Sequence, residues 1–218
     1  MLELEIELTS TVFIALVVLA LVAVAQFIRG RKINLLLISF TADRMEKIIK
    51  PKDKIYQWIG LYVGYRAIYK LLKNSLDRVE VTVTLLPRQS LLYYPISLLT
   101  SRFDRIFLVF CYNKILSREA HIVRKGYYRR RIEKVIKNAS RMRIDRISIK
   151  GVQYYLVYED ANAVNKLLTL AKDLSDPSIV NHLAIVPKNK ALYIAARIKV
   201  QSFEELLNKA YRLALSLS

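Results

Sequence analysis

The sequence is poor in cysteine, glycine and histidine, with one, five and two of these residues among 218. The single thiol, Cys111, cannot close an intrachain disulfide, so we expect the bulk of the chain in a reducing compartment. Five glycines are too few for most phosphate-binding loops, and neither G-x-G-x-x-G nor a P-loop pattern occurs. His121, His182 and Cys111 are not paired in short motifs, so we expect no metal site and no cofactor.

Groups that could carry catalysis are also scarce. The sequence contains neither the G-x-S-x-G pattern of a serine nucleophile nor the H-E-x-x-H pattern of a zinc hydrolase. Adjacent carboxylates occur at Glu159 with Asp160 and at Glu204 with Glu205. The second pair suits the first turn of a helix, where it favours the helix dipole. Because no nucleophile, base and orienting group can be named together, the chain is expected not to be an enzyme.

Positive charge, by contrast, is abundant and unevenly placed. The chain carries 36 Lys and Arg residues and 18 Asp and Glu residues. Three of the acids, Glu3, Glu5 and Glu7, precede any base, which leaves 36 basic and 15 acidic side chains for residues 29–218. Such a field favours polyanions, either nucleic acid or an anionic lipid surface.

Residues 8–28 contain no charged side chain, and about 20 apolar residues suffice for a helix to cross the hydrocarbon layer. The pattern predicts a transmembrane helix at 8–28, after a short extracytoplasmic tail at 1–7. The alternative is a cleaved signal peptide, for which the segment from Ala23 to Ala25 could serve as the cleavage site. The acidic leader argues against this, because a signal peptide begins with basic residues.

Basic residues follow the predicted span at once. Arg29, Arg31 and Lys32 are these membrane-boundary bases, and no base precedes the span. Because Lys and Arg are retained on the cytoplasmic side, we expect the N-terminus outside and residues 29–218 inside as a basic cytosolic domain.

The remaining sequence alternates strand-like and helix-like segments. Valines at alternate positions from Val79 to Val83 predict a half-buried strand. The continuous apolar run within 104–113 predicts a strand buried on both faces. Segments 161–176 and 202–217 have helical patterns. Without an internal repeat or a long linker, the predicted class is α+β, a single N-terminal transmembrane helix followed by one mixed α/β cytosolic domain.

A basic stretch, residues 124–150, contains eleven Lys or Arg residues and two acids. Its segment 128–139 is expected to be helical and would align cations beside two tyrosines that could stack on bases. RNA phosphates or anionic lipid head groups would suit such a surface, and the alternative is a charged face that only meets water. The candidate ribosome- or polyanion-binding residues are Arg124, Lys125, Tyr127, Tyr128, Arg129, Arg130, Arg131, Lys134, Lys137, Arg141 and Arg143.

The segment LLPRQSLLYYPISLLTSR, residues 85–102, predicts a short helix up to about Thr100 with its leucines on one face. Pro95 removes a backbone hydrogen bond inside that helix, so we expect a kink there. Periodicity alone favours packing in the core, whereas the tyrosines and flanking arginines favour contact with a membrane or a partner, and both alternatives stand. The residues of the second alternative are Arg88, Leu91, Tyr93, Tyr94, Pro95, Leu98, Leu99 and Arg102.

Five segments in a fixed order carry a resemblance to a known family. They are LPRQSLLYYPISLLTSRFDRIFLVFCYN, YYLVYED, NAVNKLLTLAKDLSD, IVNHLAI and FEELLNKAYRLALSL. In this order they resemble the cytosolic domain of the calumin-like family, the coiled-coil-domain-containing subunit of the PAT complex in the endoplasmic reticulum. The likeness covers nearly all of residues 11–218 and includes the pairs Arg88-Gln89 and Leu91-Leu92.

The resemblance implies a non-enzymatic chaperone factor at the Sec translocon, beside the ribosome, that helps multi-spanning membrane proteins insert and fold. It also implies a small membrane partner resembling Asterix, and contact with membrane lipids. This sequence shows neither the family's long acidic outer region nor its basic coiled coil, so we expect the internal basic stretch to contact the ribosome. We interpret the chain as a minimal archaeal relative in the plasma membrane. The charge alone fits an alternative, a membrane-tethered RNA- or anionic-lipid-binding module.

Overall fold

In a computed structural model, one long N-terminal helix leads into a sheet with further helices packed on it. The structure describes residues 2–73, 75–116, 118–128, 132–136 and 139–218, with side chains for all of these except 2–9, 72, 73, 133 and 134. The helices are α1 (Leu2–Ile49), α2 (Tyr93–Thr100), α3 (Ile132–Val135), α4 (Ala161–Asp173) and α5 (Val200–Leu217), with 3-10 turns at Ala139–Arg141, Pro177–Ile179 and Pro187–Asn189. The strands are β1 (Asp53–Trp58), β2 (Gly64–Lys73), β3 (Leu76–Thr84), β4 (Arg105–Tyr112), β5 (Ala120–Arg124), β6 (Arg143–Ile149), β7 (Val152–Tyr158), β8 (Val180–Val186) and β9 (Ala191–Arg197).

Helix α1 continues for 48 residues without a break. The predicted span at 8–28 is only part of this helix, which continues through Gly30 and stops at Ile49, just before Pro51. Within the described residues, the segment Ser10–Ile49 is long and apolar enough to cross a membrane by length and composition. The predicted boundaries of the span, before residue 8 and after residue 28, therefore lie inside a continuous helix.

The described strands form one nine-stranded sheet in the order β1-β2-β3-β4-β9-β8-β5-β7-β6. Every neighbouring pair in it is antiparallel. A long apolar helix followed by such a sheet and its helices is an α+β architecture, as the sequence predicts.

Three helices cover one face of the sheet. The rings of Phe40 in α1 and Phe203 in α5 lie 5.6 Å apart. The hydroxyl of Tyr112 at the end of β4 donates a hydrogen bond of 2.9 Å to the carbonyl of Ala214 in α5. Because α4 packs against α5 and the strands β5, β7 and β8, this face holds the main core.

The other face of the sheet is only partly covered. On β4, Ile106, Leu108 and Phe110 are buried under the helices, whereas the side chains between them are half-buried. The prediction that this strand is buried on both faces is therefore wrong. The described parts of 125–142 cover Val123 and Val157 on this second face and leave the region beside β4 accessible.

One end of the sheet meets α1, and we call it the anchor end. Because the strands are antiparallel, the first residues of β4 and β8 and the last residues of β5 and β9 all lie at this end. The loop 85–90, which follows β3, also lies here and packs on α1 at Gly30. The described residues of the connection between β4 and β5, 113–116, 118 and 119, lie at the opposite end.

Candidate functional site

A buried asparagine on α1 ties the helix to two loops at the anchor end. Asn34 is fully buried. Its side-chain nitrogen donates to the carbonyls of Tyr62 at 2.8 Å and Leu86 at 2.9 Å. Its side-chain oxygen accepts a 3.0 Å hydrogen bond from the guanidinium of Arg88. All the polar atoms of this side chain are thereby used to hold α1 against the sheet.

The same arginine forms a two-pronged ion pair with Asp104. Its Nη1 and Nη2 lie 2.9 Å and 2.6 Å from the two carboxylate oxygens. Only 17% of the Arg88 side chain and 10% of the Asp104 side chain are exposed. Asp104 also accepts a hydrogen bond of 2.8 Å from the backbone N–H of Leu86. The candidate contact residue Arg88 is therefore neutralised inside the protein.

The loop approaches α1 so closely that only glycine fits. A Cβ atom on Gly30 would lie 2.2 Å from the carbonyl carbon and oxygen of Arg88. One turn earlier, the side-chain amide of Gln26 donates to the same carbonyl at 2.7 Å. Gln26 belongs to the predicted span, so the loop contacts the end of that span. We call Gln26, Gly30, Asn34, Arg88 and Asp104 the junction.

Helix α2 follows this loop and ends at Thr100, as the sequence predicts. Because Tyr93 is its first residue, Pro95 lies in the first turn, where backbone N–H groups have no partner within the helix. The expected kink at Pro95 is therefore wrong. The Ser90 hydroxyl accepts a 3.2 Å hydrogen bond from the N–H of Tyr93 at the start of the helix.

Helix α2 buries none of its residues in the described structure, so core packing is not its role. Leu92 and Leu99 are 76% and 77% exposed. The neighbouring loop, whose Leu61 carbonyl accepts a hydrogen bond from the Gln89 side chain, adds a further exposed leucine. We call this exposed surface the platform, formed by Leu61, Leu92, Tyr93, Ile96, Leu98 and Leu99.

Other predicted contact residues surround the platform. Leu91 and Tyr94 are half-buried, whereas Arg102 is exposed just after α2. The membrane-boundary bases Arg29, Arg31 and Lys32 are all exposed on α1, and the Arg31 guanidinium stacks on the Tyr62 ring at 4.6 Å. The structure therefore places exposed apolar and basic side chains together beside the end of the predicted span.

The basic stretch is only partly described. Arg129, Arg130, Arg131 and Lys137 lie outside the described residues, as does the side chain of Lys134. Of the predicted helix 128–139, the described helical part is Ile132–Val135.

The described members of the basic stretch are divided between the two ends of the sheet. Arg124, Lys125 and Tyr127 lie at the anchor end, where they line a cavity that also includes Arg102. Arg143, paired with Tyr158, is exposed at the opposite end, and Arg141 is exposed just before it. The structure thus brings together three of these predicted residues and separates them from the other two.

Tyr128 points inward instead of standing free beside the cations. Its hydroxyl lies 2.8 Å from Nδ1 of His182, whose Nε2 lies 3.1 Å from Nδ1 of His121. Nε2 of His121 lies 2.9 Å from a carboxylate oxygen of Glu119. Burial and then the charge of His121 lower the pKa of His182 to about 3, so both buried rings favour the neutral form.

Sequence reasoning missed three residues that line the cavity with Arg124. These are Arg105, Asn181 and Arg197, which lie on three different strands. Each is an ordinary polar residue at a strand terminus, and sequence spacing carries no signal that brings them together. Within the described residues, no group of three or more His, Cys, Asp or Glu side chains could hold a metal ion.

No protein-family model matches the chain, and no curated protein matches it. Among solved structures, the mycobacterial trehalose monomycolate transport factor A, TtfA, is similar to it with a TM-score of 0.39 and 11% sequence identity. The match covers 78% of this chain and 95% of that one. A TM-score at this level supports no conclusion about fold or function, which must come from the residues of this chain.

Proposed function

We propose that this chain is a single-pass plasma-membrane protein, translocon- and ribosome-associated, that assists the insertion and folding of multi-spanning membrane proteins. Its N-terminus lies outside, and its basic domain lies in the cytoplasm. The exposed bases directly after the span support this orientation, because Lys and Arg are retained on the cytoplasmic side.

The observation that carries the proposal is the platform, an exposed apolar surface held at the end of the predicted span. Leu92, Tyr93 and Leu99 would be costly to expose to water, but they suit the boundary between lipid head groups and acyl chains. The Gln26 side chain binds the loop that leads into α2, so the platform lies at the level of the span's cytoplasmic end. This position supports contact with the membrane surface.

Such a surface gives a client helix a contact with protein that lipid does not provide. A transmembrane segment with polar groups is destabilised in lipid by several kcal/mol for each unsatisfied group. A protein surface at the membrane boundary can lower that cost by packing beside the segment before it finds its own partners. This is the work of an intramembrane chaperone subunit, in keeping with the resemblance to the calumin-like family.

A shallow apolar groove on α1 suits a second helix in the membrane. It is lined by Phe27, Ile28, Leu35 and Leu36, with Arg31 and Lys32 at its edge. The groove continues the apolar surface of the span past the boundary bases, so its occupant is a membrane helix with acidic or polar residues at its cytoplasmic end. We assign it to the small membrane partner that resembles Asterix.

Replacing leucines of the platform tests the proposal. The double variant Leu98→Asp with Leu99→Asp is compared with Ile115→Asp, which changes a side chain of similar exposure, 73%, at the opposite end of the sheet. Each full-length chain is purified through a cleavable tag from its own membranes, and its companions are identified. We expect the double variant to keep the wild-type melting temperature in detergent and to lose most of the Sec subunits, whereas Ile115→Asp keeps them. Wild-type recovery of Sec subunits by the double variant would refute the proposal.

The ribosome contact is tested separately, on the basic stretch. Reversing the charge at Arg129, Arg130 and Arg131 should weaken salt-sensitive co-sedimentation with ribosomes, because phosphate contacts dominate such binding. Reversing Lys166 and Lys172 on the exposed side of α4 is the control. Unchanged sedimentation of the triple variant would exclude this stretch as the contact. Recovery of bulk RNA or lipid without Sec subunits would favour the alternative, a membrane-tethered RNA- or lipid-binding module.

A further inference from the structure

A basic cavity opens beside the platform on the partly covered face of the sheet. Its volume is about 610 Å³, within the usual range for small-molecule sites. It is lined by ends of four adjacent strands, β4, β9, β8 and β5, and by the residues that follow α2. Its charged residues are Arg102, Arg105, Arg124, Lys125 and Arg197.

These five bases have no acidic counterparts. None of the lining residues in the described part of the chain is acidic, and none of the five bases forms an ion pair there. Three of them donate only to neutral oxygens: Arg105 to the Ser101 carbonyl at 2.9 Å, Arg124 to the Ser178 carbonyl at 3.0 Å and Lys125 to the Gln153 side chain at 2.8 Å. Their positive charge is therefore uncompensated within the described protein.

Two of the arginines lie directly opposite each other across neighbouring strands. Arg105 of β4 pairs with Arg197 of β9 in the sheet register, and like charges in this relation destabilise a sheet. The Nε atom of Arg197 is buried without a hydrogen-bond partner among the described residues, and its guanidinium lies 3.6 Å from the centre of the Phe103 ring. Burial, then the charges of Arg124 and Arg105, lower the pKa of Arg197 to about 10.

Asp176, whose charge acts weakly on Arg197, does not compensate these bases, because it is already paired. Asp176 lies 2.7 Å from the ammonium of Lys199 and accepts a hydrogen bond from the backbone N–H of Ser178. It therefore contributes little to neutralising Arg197. An anion in the cavity would relieve the repulsion between the arginines and give the buried Nε–H an acceptor.

A β-bulge supplies a neutral polar group to the same cavity. The register of β8 with β9 shifts between Val180 and His182, so Asn181 is the extra residue. Bulges redirect a side chain locally and are frequent beside functional sites. Asn181 is only 3% exposed, and it lines the cavity. Its NH₂ group adds a donor to a site made otherwise of cations.

We propose that this cavity binds the phosphate group of an anionic phospholipid at the membrane surface. Arg105, Arg124 and Arg197 hold the phosphate, as planar guanidinium groups do in proteins, and Asn181 adds a neutral donor. The lipid is the source because Leu99 of the platform lines the rim of the cavity, which places the opening where head groups lie. The inference rests on the membrane placement under the proposed function and adds a specific ligand to it.

Lipid titration of the purified full-length chain in detergent tests the cavity. Phosphatidylglycerol and phosphatidylcholine are added in turn, and bound lipid is counted by native mass spectrometry. We expect phosphatidylglycerol to bind at least tenfold more tightly than phosphatidylcholine. A charged hydrogen bond contributes about 1.5–3 kcal/mol. We therefore expect Arg197→Gln to weaken the binding of phosphatidylglycerol by about 10- to 100-fold. The variant Arg197→Lys should recover part of this loss, since it keeps the charge without the planar fork.

Arg118→Gln is the matched control, because it removes the same charge from an exposed site just before β5, at the opposite end of the sheet. It should bind phosphatidylglycerol as the wild type does. The melting temperature of Arg197→Gln without lipid should equal or exceed that of the wild type, which separates lost binding from lost folding.

Three results would overturn the inference: equal binding of the two lipids, wild-type binding by Arg197→Gln, or equal loss in the two Gln variants. Inorganic phosphate at the lipid's concentration should not displace phosphatidylglycerol, and full displacement would show a soluble ligand instead. No translocon is present in this assay, so its failure leaves the Sec association untouched. Wild-type recovery of Sec subunits by the platform variant would refute the proposed function and would likewise say nothing against the cavity.

Discussion

At the anchor end of the sheet, the junction and the cavity lie side by side. They differ in whether the charge of their arginines is balanced by a carboxylate. Asp104 and Arg105 are consecutive residues at the start of β4. Asp104 takes up the whole charge of Arg88 in a closed, buried network. Arg105 instead faces a second arginine, Arg197, across the sheet. The charge of Arg88 is neutralised within the protein and serves the structure, whereas the charge of Arg105 is left available for a ligand.

Among the described residues, the buried base of the junction has a carboxylate partner, whereas the bases of the cavity donate only to neutral oxygens or to none.

Removing the charge of Asp104 should have the largest effect. The variant Asp104→Asn leaves Arg88 buried without its counter-charge, which typically costs about 3–5 kcal/mol. The measurement is denaturant unfolding of the detergent-solubilised full-length chain. Asp53→Asn, which breaks an exposed pair with Lys70, is the control and should leave the midpoint unchanged. Equal effects from the two variants would contradict a structural role for the junction.

A larger side chain at Gly30 should disrupt the same junction by displacing the loop 85–90 from α1. The new Cβ of Gly30→Ala would meet the backbone carbonyl of Arg88, which cannot move without the loop. We expect a loss of about 1–3 kcal/mol and faster proteolysis within the loop 85–90. Ser39→Ala, at an exposed position on the same helix, should change neither quantity. A wild-type cleavage rate in Gly30→Ala would show that the loop does not depend on α1.

The buried histidines extend the comparison to bases that are kept neutral. The pKa of His182 is about 3 in the folded chain and 6.5 ordinarily, so below pH 6.5 the unfolded chain binds the proton first. The contribution of His182 to stability is therefore constant above pH 6.5, and it falls as the pH decreases, by about 2 kcal/mol at pH 5. Melting temperatures at pH 7.5 and 5.0 measure this. His182→Gln should flatten the dependence, and an unchanged slope would exclude the histidine as its cause.

Relieving the repulsion in the cavity should have the smallest effect, and the opposite sign. Arg105→Gln removes one of two like charges that face each other, so the chain in a neutral detergent should gain about 0.5 kcal/mol. Adding phosphatidylglycerol should cancel this gain, because the wild type then has the better ligand site. Thermal unfolding with and without the lipid gives both numbers. A loss of stability in neutral detergent would place Arg105 on the structural side of the comparison.

The α+β class, β3, α4 and α5 could be predicted because each depends on local periodicity of apolar residues. The junction could not, because Asn34 and Arg88 are 54 residues apart and neither is unusual in its local sequence. Helix α2 shows the limit most clearly. Its leucines repeat with a helical period whether they face a core or a membrane, and only the fold leaves them exposed.

The cavity was missed for the same reason. Arg124 belongs to a stretch that was predicted to bind polyanions, but its partners in the cavity come from β4, β8 and β9. The predicted site and the cavity share residues. The sequence of a basic stretch does not, however, show which basic residues come together across a sheet.

Because α1 is unbroken, a change in the direction of the predicted span also moves the domain. At 1.5 Å per residue, the helix is about 72 Å long, and the part beyond Arg29 extends about 30 Å into the domain. A transmembrane helix typically tilts by about 20°, and such a tilt would carry Ile49 sideways by about 10 Å. Because the junction holds the sheet against the same helix, the whole domain must move with α1. Any partner that changes the inclination of α1 would thereby move the platform with it.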